Sequence, residues 1–351
     1  MTDQLIIALD GMGGDNAPDA VVQGAEIARK KYPNVQFIFF GDRALLDPQL
    51  GRLPELQAVS EVRHTDEVVN SDDKPSQAMR RGRGSSMGLA IEAVRSGEAS
   101  VAVSSGNTGA LMAMAKFMLK TMAGINRPAL ASTFPTVKED IVMLDLGANV
   151  ECDAENLVQF AIMGSEFARA ALGRTQPVVG LLNIGVEELK GHGAVRSASE
   201  RLRDMNSTIN FGGFVEGNDI VKGEIDVIVT DGFTGNIAIK TAEGTARMFG
   251  EFLAQAFRST IISKLGYLLC RRALASVRER LDPQEQNGGV FLGLNGLVVK
   301  SHGGSDGKGF ASAVALAVRM ASVDLPRRIQ EDLMKIGEEP VAESARQGAG
   351  E

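Results

Sequence analysis

Seven short apolar runs punctuate the chain: Leu5–Leu9, Val35–Phe40, Ser100–Val103, Ile141–Leu144, Val178–Leu182, Ile225–Val229 and Leu297–Val299. Near-continuous Val, Ile and Leu in runs this short predict strands buried on both faces. Helical periodicity marks Thr108–Lys120, Asn156–Leu172, Ala194–Met205 and Thr234–Phe257 between them. Such alternation predicts βαβ units, a mostly parallel sheet and a three-layer αβα architecture. No linker or repeat interrupts it, so residues 1–336 read as one α/β domain and 337–351 as a frayed polar tail.

Six of the runs lead into loops rich in Gly, Asp, Asn and Ser, at residues 10–16, 104–109, 145–149, 183–191, 231–236 and 301–306. Right-handed crossovers would align the strand C-termini, and these loops with them, along one sheet edge, where open α/β folds bind ligands. Turn-making explains any one such loop. Six in order point to a crevice lined with backbone N–H donors.

Composition narrows the chemistry. The 351 residues carry 37 Lys and Arg against 44 Asp and Glu, a formal net charge of −7, which argues against a nucleic-acid-binding surface. Forty glycines without a repeat suit many tight turns. Cys152 and Cys270 make no disulfide framework, which suits a reducing cytoplasm. The acidic start and the short run Leu5–Leu9 do not make a signal peptide. The longest uncharged stretch, 99–115, is broken by Ser104 to Thr108, so no spanning helix is expected. His64, His192 and His302 lack the spacing of a zinc site; His64 is expected at the surface and His302 in a glycine loop. Gly11-Met-Gly-Gly-Asp-Asn16 misses the third glycine of a dinucleotide fingerprint. Gly84-Ser-Ser-Met-Gly88 has the letters of a nucleophile elbow but no strand before it, so Ser85 or Ser86 is expected to cap a helix through Val94.

Two basic features stand out in an acidic chain. Arg80, Arg81 and Arg83, with Lys74 upstream, form either a solvated face or a landing site for an acidic partner. In the segment 251–282, Phe257, Ile261, Leu265, Leu268 and Leu269 share one helical stripe beside Arg258, Lys264, Arg271, Arg272, Arg278 and Arg280. That pattern reads either as a protruding membrane-surface helix or as a core or dimer contact.

The loops, in order, resemble one family over roughly Leu5 to Ser322: the phosphate acyltransferase of bacterial phospholipid synthesis (PlsX). The matching stretches are Asp10-Gly-Met-Gly-Gly-Asp-Asn-Ala-Pro18, Ser104-Ser-Gly-Asn-Thr-Gly-Ala110, Leu144-Asp-Leu-Gly-Ala-Asn149, Leu181-Leu-Asn-Ile-Gly185, Glu187-Glu-Leu-Lys-Gly191, Thr230-Asp-Gly-Phe-Thr-Gly-Asn236 and Ser301-His-Gly303. Gly11, Val186 and His192-Gly193 depart from the family's usual residues. The resemblance implies a fold like isocitrate and isopropylmalate dehydrogenases and phosphotransacetylase, a homodimer, and no metal, nucleotide or other cofactor. It implies conversion of long-chain acyl-acyl carrier protein and inorganic phosphate into acyl phosphate and free carrier. The product would feed a membrane glycerol-3-phosphate acyltransferase. It further implies a cytoplasmic protein attached peripherally to the membrane through the 251–282 segment.

Phosphate attack on a thioester needs an anion cradle, an oxyanion stabiliser and a thiolate exit, not a serine–histidine triad. Glycine turns and helix starts bind anions, and a lysine can neutralise phosphate or oxyanion. Lys190 is assigned as that cation and Asn236 as the amide donor, with Asp231 and Glu187 orienting them or managing a proton. Asp10, Gly13, Gly14, Asp15, Ser104, Gly106, Asn107, Thr108, Asp145, Gly147, Asn149, Asn183, Gly235 and His302 are the candidate phosphate and substrate contacts. Arg80, Arg81 and Arg83 are the candidate dock for the acidic carrier. The rival readings are a short-chain phosphotransacetylase using acyl-coenzyme A, a decarboxylating dehydrogenase of the same fold, and a membrane-associated scaffold.

Overall fold

A computed structural model describes residues 5–205, 208–280 and 287–335. The polar tail expected at 337–351 and the end of the 251–282 segment lie outside them. The strands are β1 (Leu5–Asp10), β2 (Val35–Gly41), β3 (Ser60–His64), β4 (Val101–Ser104), β5 (Ala129–Phe134), β6 (Ile141–Leu144), β7 (Val179–Leu182), β8 (Phe211–Val215), β9 (Val227–Val229), β10 (Gly289–Leu292) and β11 (Leu297–Lys300). The helices are α1 (Asp19–Lys31), α2 (Arg43–Leu50), α3 (Pro54–Gln57), α4 (Pro75–Arg81), α5 (Ser86–Arg95), α6 (Thr108–Leu119), α7 (Ala154–Leu172), α8 (Gly193–Asp204), α9 (Gly232–Arg258), α10 (Ile261–Arg280) and α11 (Gly307–Ser322), followed by α12 (Leu325–Lys335).

Among the described residues, the eleven strands join one sheet in the order β3-β2-β1-β4-β11-β10-β5-β6-β9-β7-β8. Side chains alternate across it, as a two-residue period requires. Ile7, Leu9, Phe37, Phe39, Val101 and Val103 pack on one face with α1, α7 and α11. Ala8, Ile38, Phe40, Ala102 and Val298 pack on the other with α5 and α6. The three expected layers are present, and each of the seven apolar runs lies on a strand.

The single edge expected for the loops is not what forms. β3, β2, β1, β4 and β11 are mutually parallel, and so are β6, β9, β7 and β8. Between the two blocks, β10 runs antiparallel to β11 and to β5, and β5 antiparallel to β6. Three reversals leave the blocks pointing in opposite directions. The loops after β1, β4 and β11 therefore gather at one edge, and those after β6, β7 and β9 at the other. β5 and β10, which cause the split, carry no long apolar run: Ala129-Leu-Ala-Ser-Thr-Phe134 and Gly289-Val-Phe-Leu292 are mild or short.

Among the described residues no single helix is long and apolar enough to cross a membrane. The bent pair α11–α12 has the composition, but α11 is largely buried against the sheet.

Candidate functional site

The loops after β1, β4 and β11 interlock. Ser104 donates its hydroxyl to Asp10 at 2.6 Å, and the same oxygen accepts the Gly106 amide at 3.0 Å. The Asp15 amide donates to the Gly303 carbonyl at 2.9 Å, and the Asn16 side chain donates to the Ser305 carbonyl at 3.0 Å. A methyl group at Gly13 would collide with the Asp10 carboxylate and crowd the Gly106 amide, so only glycine allows this approach; Gly14, at φ +99°, lies against Ser105. His302 sits in the third loop, its amide donating to Asn287 at 2.8 Å and its Nδ1 accepting from Gly304 at 3.2 Å.

Asn107 caps α6, accepting from the Ala110 amide at 3.0 Å while donating to the carbonyls of Ser71 and Asp73. Its polar atoms shape the loop, which leaves Thr108 and the first-turn amides at the positive end of the helix dipole. Asp10 is buried, and loss of water raises its carboxyl above the ordinary range against the lowering effect of its hydrogen bonds.

Beneath this knot lies a residue absent from the sequence reading. Lys300 closes β11 and is 8% exposed. Its Nζ donates to the carbonyls of Ser105, at 3.3 Å, and Ser301. Burial pulls its ammonium down to about 8, partly opposed by Asp10 and Asp15. The signal was a lysine ending the apolar run Leu297-Val-Val-Lys300.

At the other edge, β6, β9 and β7 are neighbours, so their loops meet. Asp145 accepts from the amides of Leu130, Ala148 and Asn149 and from the Asn149 side chain, at 2.7 to 3.0 Å. The Asn149 side chain also donates to the Pro128 carbonyl at 2.7 Å. Both residues are buried and committed to the loop's own shape. The Gly232 amide donates to the Asn149 carbonyl at 2.7 Å, and a methyl at Gly235 would collide with the Asp145 carbonyl. The first turn of α9 thus packs directly on the loop. Asp231 caps that turn, accepting the Thr234 amide and hydroxyl at 2.8 Å each.

This packing brings Asn236 beside Gly147: a Cβ there would stand 3.6 Å from that of Asn236. Lys190 is exposed on the neighbouring loop. Its carbonyl accepts from the Asn183 side chain at 3.2 Å, and its amide donates to the Glu187 carbonyl at 3.0 Å. Its ammonium makes no ion pair among the described residues, and Glu187 is exposed nearby in the same loop. Val150, Ile184, Val186 and Leu189 of these loops and Phe233 and Ile237 at the start of α9 are exposed apolar residues, Leu189 at 85%. Cys152 follows the first loop; burial and the charges of Asp145 and Asp231 push its thiol up to about 12, so it is protonated at neutral pH. Among the described residues no three His, Cys, Asp or Glu side chains gather as metal donors.

Of the other expected features, Ser85 caps α5 through the Gly88 amide at 3.2 Å. His64 lies at the surface, where its Nδ1 accepts from the Arg43 amide. Arg80, Arg81 and Arg83 are exposed. Ile261, Leu265, Leu268 and Leu269 are exposed on α10, Leu269 at 81%, whereas Phe257 is half-buried against Tyr267, ring centroids 5.5 Å apart. In α9 only Gly232 and Gly235 are buried.

A family described as fatty acid synthesis protein matches residues 5–328. The chain is 56% identical to the phosphate acyltransferase of Rhodospirillum centenum over 336 residues, 96% of this chain and 95% of that one. It is 53% identical to the phosphate acyltransferase of Xanthobacter autotrophicus over 353 residues, 100% of this chain and 99% of that one. A solved phosphotransacetylase from Streptococcus pyogenes superposes with a TM-score of 0.61 over 92% of this chain and 95% of that one, at 17% identity, a likeness of fold.

Proposed function

We infer the reaction from the family: the chain belongs to the fatty acid synthesis protein family, resembles its phosphate acyltransferases over nearly its full length, and transfers an acyl group to phosphate. Its donor is a long-chain acyl-acyl carrier protein. A phosphate oxygen attacks the thioester carbonyl carbon; the tetrahedral intermediate collapses with cleavage of the C–S bond, giving acyl phosphate and the carrier thiolate. The acyl phosphate is then consumed by a membrane glycerol-3-phosphate acyltransferase on the way to phosphatidic acid.

Lys190 supplies the cation and Asn236 the amide donor to the developing oxyanion. Preorganised donors of this kind carry much of an acyl transfer barrier. Asp231 fixes the first turn of α9 and so the position of Asn236, and Glu187 holds the turn that presents Lys190. Asp10, Asp145, Asn149 and Asn183 brace loops rather than touch substrate, because their carboxylates and amide nitrogens are engaged within the protein. The amides of Gly14 and Thr108 form the phosphate cradle, which the Gly13 and Gly106 amides shape by donating to Asp10 and to the Ser104 hydroxyl.

The cradle and the loops that lead to Lys190 and Asn236 lie at opposite sheet edges of one chain. A homodimer resolves this: one protomer supplies the cradle and its partner the lysine and amide. The exposed apolar loop rim and the almost unburied α9 supply surface for such a contact. Beyond it, the apolar and basic stripe of α10 rests on an anionic membrane surface, holding a cytoplasmic enzyme beside the consumer of its product. Arg80, Arg81 and Arg83 receive the acidic carrier.

The observation that carries this reading is the exposed Lys190, without an ion pair among the described residues, on the loop after β7, whose neighbour β9 leads into the start of α9 that bears Asn236. The test is phosphate-dependent formation of acyl phosphate from palmitoyl-carrier protein, trapped with hydroxylamine, with one free thiol released per acyl phosphate. Turnover of acetyl-coenzyme A in place of the carrier thioester would mark a short-chain phosphotransacetylase instead.

A further inference from the structure

An open pocket of about 480 Å³ is lined by Arg83, Glu92, Arg95, Phe117, Met118 and Lys120. Glu92 pairs with Arg95, Oε2 to Nε 2.7 Å, and feels the charge of Arg83, while among the described residues neither Arg83 nor Lys120 makes an ion pair of its own. Both are aimed at one ring: the Arg83 guanidinium and the Lys120 ammonium each stand 4.9 Å from the centre of Phe117. Lys120 adopts φ +63°, a conformation uncommon for any residue but glycine. Three hydrogen bonds from Asn295, to the carbonyls of Leu119, Lys120 and Thr121, hold that backbone in place. Strain secured in this way is a mark of a functional position.

The pocket's place in the fold indicates what it binds. α6 starts at the phosphate cradle and ends at Phe117 to Lys120, so its 12 residues separate the two by about 18 Å at 1.5 Å per residue. α4 runs beside it: Pro75 lies against Gly109 at the cradle end, and Gly82 lies against Met114 farther along. Arg80 and Arg81 are exposed in the last turn of α4. A carrier protein bears its thioester at the end of an extended pantetheine arm joined through a phosphodiester, and that arm has a reach of this order.

We propose that the pocket binds the phosphodiester end of the carrier's pantetheine arm, with Arg83 and Lys120 as its ligands, and that the arm lies along the α4–α6 seam to deliver the thioester. This rests on the carrier-dependent reading above. Arg80 and Arg81 meet the acidic protein surface around the arm, and the local positive field steers an acidic carrier to a chain of net charge −7.

The experiment combines Arg83→Gln with Lys120→Gln and compares three acyl donors: acyl-carrier protein, acyl-phosphopantetheine and acyl-pantetheine. KM should rise about tenfold for the first two and stay unchanged for the third, which has no phosphate. Equal loss on all three, no loss on any, or loss with the carrier alone would overturn the assignment. Binding of holo- and apo-carrier protein to the unmodified chain, measured by fluorescence anisotropy, is independent of turnover. Holo-carrier should bind more tightly by a margin the double variant abolishes; equal binding overturns the pocket assignment. Holo-selective binding without phosphate-dependent turnover would instead leave the pocket standing and overturn the proposed reaction.

Discussion

Ser104 and Asp10, 94 positions apart, are joined by a 2.6 Å hydrogen bond that ties the loop after β4 to the loop after β1. The same serine oxygen accepts the Gly106 amide, so one hydroxyl fixes both a buried carboxylate and the amide next to it. Ser104→Ala should lower stability by about 1–3 kcal/mol, the usual cost of leaving a buried polar group without its partner. It should also raise KM for phosphate, because the Gly106 amide loses its anchor. Urea denaturation and phosphate titration check the two effects; an unchanged midpoint would show that Asp10 is satisfied without Ser104.

Lys300 gives a dependence on pH. Its folded-state pKa, about 8, lies below the ordinary lysine value of 10.5. A depressed pKa contributes stability that is present above the unfolded value and lost as pH falls through the folded one. Lys300's contribution should therefore diminish from about pH 10.5 to about pH 8 and level off below. Lys300→Met should remove this slope, so wild type gains on the variant as pH rises over that window. A stability difference that is flat across it would show that Lys300 does not titrate there.

The split of the loops between two edges predicts complementation. Ser104→Ala damages the cradle and Lys190→Ala the cation, each with low activity alone. If the site is shared between protomers, unfolding and refolding a 1:1 mixture gives half heterodimers, each with one intact site. Activity should return to about a quarter of wild type. No gain over the separate variants would place the whole site within one chain.

Much of this layout was legible in the sequence, and the part that was not has a definite cause. Strands such as Ile141–Leu144 were readable because burial on both faces demands continuous apolar side chains. β3, Ser60-Glu-Val-Arg-His64, and β8, Phe211-Gly-Gly-Phe-Val215, are edge strands with one neighbour, and their polar or glycine-rich sequences carry no such demand. The direction of a strand leaves no mark on its composition, so the antiparallel insertion of β10 and β5 was invisible. Within the site, the sequence marks Asp231 as an orienting or proton-managing acid and Asn107 as a phosphate contact, but that the oxygens of both cap helices is visible only in the coordinates. Lys300 escaped notice because a lysine at a strand end ordinarily reaches solvent.

The exposed stripe of α10 predicts a separable membrane function. Leu265→Glu with Leu269→Glu should release the protein from anionic vesicles while leaving turnover of soluble substrate within about twofold, since both residues lie outside the loop clusters. Co-sedimentation with vesicles and analytical ultracentrifugation read the two possibilities. Retained vesicle binding with loss of the dimer would assign the stripe to the subunit contact.

The most direct test of the account is the single-turnover rate of acyl phosphate formation from acyl-carrier protein and phosphate, with Lys190 present and replaced by alanine. Loss of one preorganised donor should slow the chemical step by about 10²–10³-fold, with no acylated protein trapped at any time point. A rate within about threefold of wild type, or an acyl-enzyme formed and consumed fast enough to lie on the path, would contradict it.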